Sequence, residues 1–418
     1  MRQDYLSVAL MACRMTAGNQ TQVADDAIQP RIFIIAGEPS GDVIAAEIMA
    51  ALGAQSPQMI QFAGIGGKNM AAVGLQSRVD IRELSLFGVF ELLPRLRRLR
   101  QIRDETLAAI AQFQPDIVLT VDSKGFAFSL AQKLARHRGT GDRPHIMHVV
   151  APTVWAYRPQ RARKIAGFLD HLLVLFPFEP PYFTVHGLAT SFIGHPAAYR
   201  PKGDGVKFRL AHGLPLDVPV LGLCPGSRQS EIQRLLPGFL QTAKLLISQN
   251  TALRIVLPTV SAVADGVQAM VAESGLEITV LVDQPSASDA FAAFNVALAA
   301  SGTVTLELAL AGVPSVVGYR ANLLTAFLAT CFVDRNAVVL SNKILGRQVQ
   351  PAFFQWQCTP KNLAAAVTAY FADPQTAVVA AEIADQLRAA LQVDNGLQTT
   401  ADAAAKVVLT ALQSVSRA

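Results

Sequence analysis

Short, almost wholly apolar runs that end in a glycine or serine turn and pass straight into helical periodicity recur along this 418-residue chain. They constrain its fold more than any other feature. Ile32-Phe-Ile-Ile-Ala36 is one such run, Gly37-Glu-Pro-Ser-Gly-Asp42 is its turn, and helical sequence follows over residues 43–52. Phe62-Ala-Gly-Ile-Gly-Gly67 repeats the idea, and Ile117-Val-Leu-Thr-Val121, Ile146-Met-His-Val-Val150, Leu172-Leu-Val-Leu-Phe176 and Ser191-Phe-Ile-Gly194 continue the series. Runs of this kind alternating with helices predict a mostly parallel sheet in a doubly wound α/β domain. A second series, at residues 220–223, 254–257, 278–282, 296–299 and 315–318, predicts a second such domain. The chain is long enough for two domains of ~100–200 residues each. Residues 196–219, rich in Pro, Gly and charge, read as the linker between them. The expected organisation is an N-terminal Rossmann-like domain over residues 31–200 and a C-terminal one over residues 201–375. Helices over residues 376–418 would then be free to pack back on the first domain.

Residues 1–30 are expected to form a disordered extension, or to precede a true start at Met15. Leu10-Met-Ala-Cys13 weakly resembles a lipoprotein cleavage box, but its apolar stretch is short and Asp4 stands where a signal peptide carries positive charge. No run approaches the ~20 apolar residues of a membrane span. Hydrophobic residues at 51% and charged residues at 16% exclude wholesale disorder. The net charge of +5 is concentrated in two clusters, Arg95, Arg97, Arg98, Arg100 and Arg103, then Arg158, Arg161, Arg163 and Lys164. Such clusters suit phosphorylated substrates or an anionic membrane surface. Nucleic acid is not expected as a partner, because no recognised nucleic-acid module accompanies them. Cys13, Cys224, Cys331 and Cys358 lack ligand spacing and read as free, mostly buried thiols. The sequence also lacks HxxxH, HExxH, GxSxG and P-loop patterns, so no metal or cofactor is predicted.

Two turns carry the chemistry. Cys224-Pro-Gly-Ser-Arg-Gln-Ser-Glu-Ile232 and Ala300-Ser-Gly-Thr-Val-Thr-Leu-Glu307 each follow a strand-like run and open a helix. Unpaired backbone N–H groups and the positive end of a helix dipole there make a phosphate site. Gly226, Ser227, Ser301, Gly302 and Thr303 supply the turns. Arg228 adds a forked cation for a diphosphate oxygen, and Glu307 is a carboxylate able to accept from a ribose diol. In the first half, Asp122 ends a strand where open α/β sheets bind ligands, and it could accept the proton of an attacking hydroxyl or cap a helix. Glu38 and Asp42 could cap their own helix or touch a sugar. His148, His186 and His195 are further candidate bases or phosphate donors. Residues 92–103 have Leu92, Leu96 and Leu99 on one face and Arg97 and Arg98 away from it, the pattern of a membrane-interface helix or of an ordinary surface helix. Leu86, Phe87 and Phe90 just before it favour an acyl-chain or membrane-binding surface.

Taken in order, these segments resemble the lipid-A-disaccharide synthase family. The likeness is carried by Ala36-Gly-Glu-Pro-Ser-Gly-Asp42, Gly64-Ile-Gly-Gly67, Leu86-Phe-Gly-Val-Phe-Glu-Leu-Leu-Pro-Arg95 and Ala151-Pro-Thr-Val-Trp-Ala-Tyr-Arg158. It continues through Pro177-Phe-Glu179, Phe192-Ile-Gly-His-Pro196, Pro225-Gly-Ser-Arg-Gln-Ser-Glu231, Ala300-Ser-Gly-Thr-Val-Thr-Leu-Glu307 and Val316-Val-Gly-Tyr-Arg320. The resemblance implies a GT-B architecture, two Rossmann-like domains facing across a cleft. It implies transfer of diacylglucosamine from UDP-diacylglucosamine to lipid X, with inversion, release of UDP and no metal. It further implies a cytoplasmic enzyme held peripherally on the inner membrane through the basic amphipathic segment, and leaves room for a homo-oligomer. By the same resemblance Asp122 is the general base, and Ser227 and Arg228 touch the diphosphate. Glu307 lies in the nucleotide-sugar pocket with Ser301, Gly302, Thr303, Tyr319 and Asn342. Glu38, Ser40, Lys124, Leu86, Phe87 and Phe90 fall on the acceptor side.

Two segments depart from the family pattern. Asp122-Ser-Lys-Gly-Phe-Ala127 keeps the first Asp of the family's Asp-Ala-Pro-Asp-Phe-Asn and loses the second Asp and the Asn. Pro351-Ala-Phe-Phe-Gln355 loses a charged residue, and Ser341 replaces a proline before Asn342. Lys124 is then a candidate contact for the acceptor phosphate. A nucleotide-sugar epimerase could share the scaffold, but residues 86–103 argue against it. A UDP-sugar- or lipid-binding relative without strong catalysis is a further reading. A dinucleotide oxidoreductase is disfavoured, because residues 37–42 lack GxGxxG.

Overall fold

A computed structural model of the chain describes residues 29–84, 92–137, 144–156, 158–284, 287–320, 339–393 and 396–415, with the backbone alone for 92–96. Among these residues twelve strands form two parallel six-stranded sheets. The first contains β1 (Arg31–Ala36), β2 (Gln61–Ile65), β3 (Ile117–Val121), β4 (His145–Val149), β5 (His171–Val174) and β6 (Ala189–Phe192), in the order β2-β1-β3-β4-β5-β6. The second contains β7 (Val220–Cys224), β8 (Arg254–Thr259), β9 (Thr279–Val282), β10 (Val296–Ala300), β11 (Ser315–Tyr319) and β12 (Ala352–Phe354), in the order β12-β11-β10-β7-β8-β9. The winding reverses between β1 and β3 in one sheet and between β7 and β10 in the other. Each reversal opens a crevice outside the carboxyl ends of the strands, where doubly wound folds bind ligands.

The apolar runs become strands buried on both faces because alternate residues feed different helical layers. Ile32, Ile34 and Ala36 of β1 pack with Ile48 and Leu52 of the helix Pro39–Gln55 and with Ala404 and Val408 of the helix Thr400–Val415. Phe33 and Ile35 face the opposite way, towards Ile102 and Ile110 of the helix Leu92–Phe113 and Leu130 of the helix Lys124–Leu134. Burying each Ile or Leu side chain contributes about 1.5–3 kcal/mol. In the second sheet Leu221 and Leu223 of β7 meet Leu236 and Phe239 of the helix Gln229–Gln249, whereas Val220 and Cys224 meet Phe291 and Phe294 behind.

Residues 196–219 are docked rather than loose. They contain the helices Pro196–Tyr199 and Gly205–Ala211, and the Arg209 guanidinium donates to the carbonyls of Leu216, Val218 and Ala293 and to the Asn295 amide oxygen. A further cluster joins the two halves. Ala197 and Ala198 meet Leu306 and Leu310, Leu340, and Leu387 and Leu391 of the helix Thr376–Leu391, with Trp155, Phe176 and Phe178 against them.

The helix Leu92–Phe113 turns much of its apolar face inward. Ile102 is fully buried and Leu99 packs on the same core. Arg98 pairs with Glu83 at 2.7 Å and Arg103 with Asp104 at 2.8 Å, leaving Arg97 and Arg100 exposed. Leu86, Phe87 and Phe90 lie outside the described residues, as do the side chains of Leu92 and Leu96. Among the described residues no helix is long and apolar enough to cross a membrane.

Candidate active site

The first crevice is shaped by two glycines and a strained strand end. A Cβ on Gly37 would collide with Ser123 Oγ, and one on Gly41 would lie 2.9 Å from the Val121 carbonyl oxygen. Bare backbone at both positions lets the start of the helix Pro39–Gln55 close on the end of β3. Asp122 and Ser123 follow β3 with φ of 53° and 46°, left-handed backbone that Asp tolerates better than most residues. The Asp122 N–H donates to the Val149 carbonyl at 3.0 Å, which anchors the turn on β4.

The next helix, Lys124–Leu134, starts at Ser123 without a side-chain cap, so Asp122 does not serve as its cap. Its Oδ2 accepts instead from Ser40 Oγ at 3.1 Å, across the crevice. Glu38 lies in the same field. Its carboxyl is raised above the usual range by partial burial and then by the charge of Asp122, while Lys124 opposes both. Lys124 opens the helix two residues after Asp122, and its charge also acts on Glu179 and His148. The structure therefore brings Glu38, Ser40, Asp122 and Lys124 together.

Asp42 has a different role. It is buried and accepts from the backbone N–H groups of Gly67 (2.6 Å), Asn69 (2.9 Å) and Met70 (3.2 Å), and from the Asn69 amide at 2.8 Å. It caps the neighbouring helix Lys68–Ala72, not its own helix and not a sugar. The histidines have other surroundings. His148 is fully buried against Thr120 Oγ1 at 2.7 Å, and burial drives its pKa down to about 3. His195 accepts from the Ala197 N–H at 3.2 Å and is pushed down to about 4 by burial and then by Arg200. His186 lies in the turn before β6, at the opposite edge of the sheet.

The second crevice holds the two sequence turns side by side. β7 and β10 are hydrogen-bonded neighbours with Cys224 beside Ala299, so residues 225–228 and 301–303 leave adjacent strand ends. Gly226 takes φ of 114°. Arg228 caps the helix Gln229–Gln249 through its backbone and leaves its side chain 80% exposed. Glu231 braces the turn: its carboxylate accepts from Arg228 at 2.9 Å and from the Ser227 N–H at 3.3 Å. Ser301, Gly302 and Thr303 open the helix Thr303–Leu310, from which the Glu307 carboxylate accepts from Arg200 at 2.9 Å. The negative charge of Glu307 reinforces the burial that pushes the Cys224 thiol up to about 12. Tyr319 ends β11, its ring edge-on to Phe354 at 6.5 Å.

Asn342 does not offer its side chain to this crevice. It is buried, and its amide oxygen accepts from the Val349 and Gln350 N–H groups at 2.8 and 2.9 Å while its nitrogen donates to the Gln350 carbonyl at 3.0 Å. It closes the loop of residues 342–350. Ser341, in the place of a proline, donates to the buried Gln350 side chain, which in turn donates to the Thr305 carbonyl at 3.0 Å. Sequence reading also missed Glu179. It is 2% exposed, accepts from Trp155 Nε1 and the Phe176 N–H, and is pushed up to about 7 by burial. Pro177-Phe-Glu179 is among the segments that carry the family likeness, and an acid inside an apolar, aromatic stretch is the further signal.

A sequence profile of the lipid-A-disaccharide synthetase family matches residues 32–407, nearly the whole described chain. The protein belongs to that family. A lipid-A-disaccharide synthase of Rhodospirillum centenum is 46% identical over 345 residues, 82% of this chain and 85% of its own. Among solved structures, the kitacinnamycin glycotransferase superposes with a TM-score of 0.60 at 18% identity, covering 92% of this chain and 99% of its own. UDP-GlcNAc 2-epimerase from Neisseria meningitidis, bound to UDP-GlcNAc, reaches 0.58 at 10% identity and covers 92% and 100%. At such identities these two likenesses carry the fold alone, and the fold is GT-B. Membership of the lipid-A-disaccharide synthetase family, and not the scaffold, separates a glycosyltransferase from an epimerase.

Proposed function

We propose that this glycosyltransferase of the lipid-A-disaccharide synthetase family moves diacylglucosamine from UDP-diacylglucosamine to a hydroxyl of lipid X. Asp122 accepts the proton of that hydroxyl as its oxygen bonds to the anomeric carbon. The bond from that carbon to the diphosphate oxygen breaks, and UDP departs with the electron pair. Attack from the face opposite the leaving group inverts the anomeric centre. Charge grows on the departing diphosphate, so Arg228, the Ser227 hydroxyl and the N–H groups at Ser301 to Thr303 stabilise the transition state more than the ground state. Glu307 accepts from the ribose diol, and Tyr319 lines the donor pocket. Lys124, beside Glu38, meets the acceptor phosphate.

The observation that carries this reading is the Asp122 carboxylate, free of any capping duty and aimed across the crevice at Ser40. The exposed Arg97 and Arg100 support a peripheral, mainly electrostatic attachment to the anionic cytoplasmic face of the inner membrane.

The test is turnover of UDP-diacylglucosamine and lipid X with EDTA present, read by mass spectrometry, beside UDP binding by calorimetry. Asp122→Ala is expected to abolish transfer while largely sparing UDP affinity, and Arg228→Ala to weaken both. Equal loss of UDP affinity in the two variants would sink the division of roles. Attachment that persists on anionic vesicles in high salt would remove the electrostatic account of membrane binding.

A further inference from the structure

We propose that Arg200 is a positioning residue for nucleotide recognition, holding the Glu307 carboxylate in the orientation that accepts from a ribose diol. The inference rests on the reading of Glu307 as the ribose contact and goes beyond it.

Arg200 leaves the first sheet just after the helix Pro196–Tyr199 and reaches across to the second crevice, where its guanidinium donates to Glu307 Oε1 at 2.9 Å. The backbone behind it is fixed. Arg388, on the helix Thr376–Leu391, donates to the carbonyls of Ala198 (3.3 Å) and Arg200 (3.2 Å) with one nitrogen and to that of Leu310 (2.9 Å) with another. Gln392 adds a bond to the Ala198 carbonyl at 2.9 Å. Leu310 ends the helix that carries Glu307, so one cation ties down both partners of the pair.

A half-exposed ion pair of this kind, with side chains 48% and 31% accessible, adds little to folding. Its value lies in geometry. A glutamate on a helix surface samples several rotamers, and a diol needs its acceptor at one place. The Arg200 contact occupies one lone pair of Oε1 and leaves Oε2 to accept. The helix that carries Glu307 leaves the end of β10, and β10 lies beside β7, whose end opens into the Gly226 turn. Because Arg200 comes from the segment that leaves the first sheet, recognition of the ribose also depends on how the two halves meet.

The experiment compares the affinities of UDP, 2′-deoxy-UDP and 3′-deoxy-UDP by calorimetry for the full-length protein and its variants. Hydrogen bonds to a charged acceptor predict a preference of about 10-fold or more for UDP in the wild type. Arg200→Ala is expected to cut that preference to about 3-fold or less through weaker UDP binding, with deoxy-nucleotide affinities little changed. Arg200→Lys should recover part of it, and it also serves if the alanine variant folds poorly. Arg228→Ala should weaken all three nucleotides alike and leave the preference intact. Full preference in Arg200→Ala, with Glu307→Ala having lost it, overturns the role of Arg200 and leaves the ribose contact standing. Full preference in Glu307→Ala overturns both.

Discussion

The indole Nε1 of Trp155 donates to the Glu179 carboxylate at 3.2 Å, joining the loop after β4 to the loop after β5. The Phe176 N–H adds a second bond at 3.1 Å, yet burial outweighs both and pushes the carboxyl up to about 7. The folded state therefore holds this proton where the unfolded chain has released it. The resulting stability is fully present below the ordinary pKa of 4.5 and is lost as pH rises through about 7, on the order of 3 kcal/mol. His148 and His195, pushed down to about 3 and about 4, act in the opposite sense, with stability present above 6.5 and lost as pH falls through those values. Their combined slope outweighs that of Glu179 up to about pH 7, where the opposing slopes nearly cancel. In melting curves taken from pH 5 to 8, the stability of the wild type relative to Glu179→Gln is expected to fall between about pH 5 and 7. A difference that stays constant across that range would mean that Glu179 is ionised in the fold.

Asp42 satisfies three backbone N–H groups of the next loop from a buried position. Removing it leaves those donors without partners, at about 1–3 kcal/mol each where they stay dry. Asp42→Ala is expected to lower stability by about 3 kcal/mol or more, and Asp42→Asn by less, because its one amide oxygen can still accept. Chemical denaturation measures both. A loss below about 1 kcal/mol in Asp42→Ala would mean that water replaces the carboxylate.

The two sheets and both crevices were legible because parallel strands buried on both faces leave unbroken apolar runs, and glycine turns mark their carboxyl ends. The places of Asp122, Ser227 and Arg228 at strand ends were legible for the same reason, but the Ser40 partner of Asp122, 82 residues away, was not. Arg200, Glu179 and Gln350 were not, since each is defined by a partner far along the chain or by its burial. Asn342 stood at a suggestive position, but only the fold reveals that its amide is saturated by the backbone of residues 349–350. The apolar face of residues 92–103 allowed a membrane or a core as its neighbour, and the core takes Leu99 and Ile102.

Gly226 takes a positive φ, and a Cβ there would press on the Glu231 carboxylate that braces Arg228. The glutamate can swing aside, but the backbone strain remains, at about 1 kcal/mol or more. Gly226→Ala is expected to raise the donor KM about 10-fold with a small change in melting temperature. A variant with unchanged KM would show that the turn does not touch the donor.

Lys343 bridges the two halves by cation–π contact. Its ammonium, on the short helix Leu340–Leu345, lies 4.9 Å from the Phe178 ring centre and 5.5 Å from that of Trp155. Phe178 in turn stacks on Phe176 at 5.4 Å, and Phe176 on His195 at 5.2 Å. Burial keeps His195 neutral near pH 7, so no second cation repels Lys343 from within that row. A partly shielded contact of this kind is worth about 0.5–2 kcal/mol. Lys343→Met keeps most of the aliphatic stem and removes the charge; Phe178→Leu keeps apolar volume and removes the ring. A double-mutant cycle on unfolding free energy should return a coupling of at least about 0.5 kcal/mol, and Lys343→Arg should preserve stability. Zero coupling would mean that the ammonium stays hydrated and that the apolar contacts around Leu306, Leu340 and Leu387 hold the halves together without it.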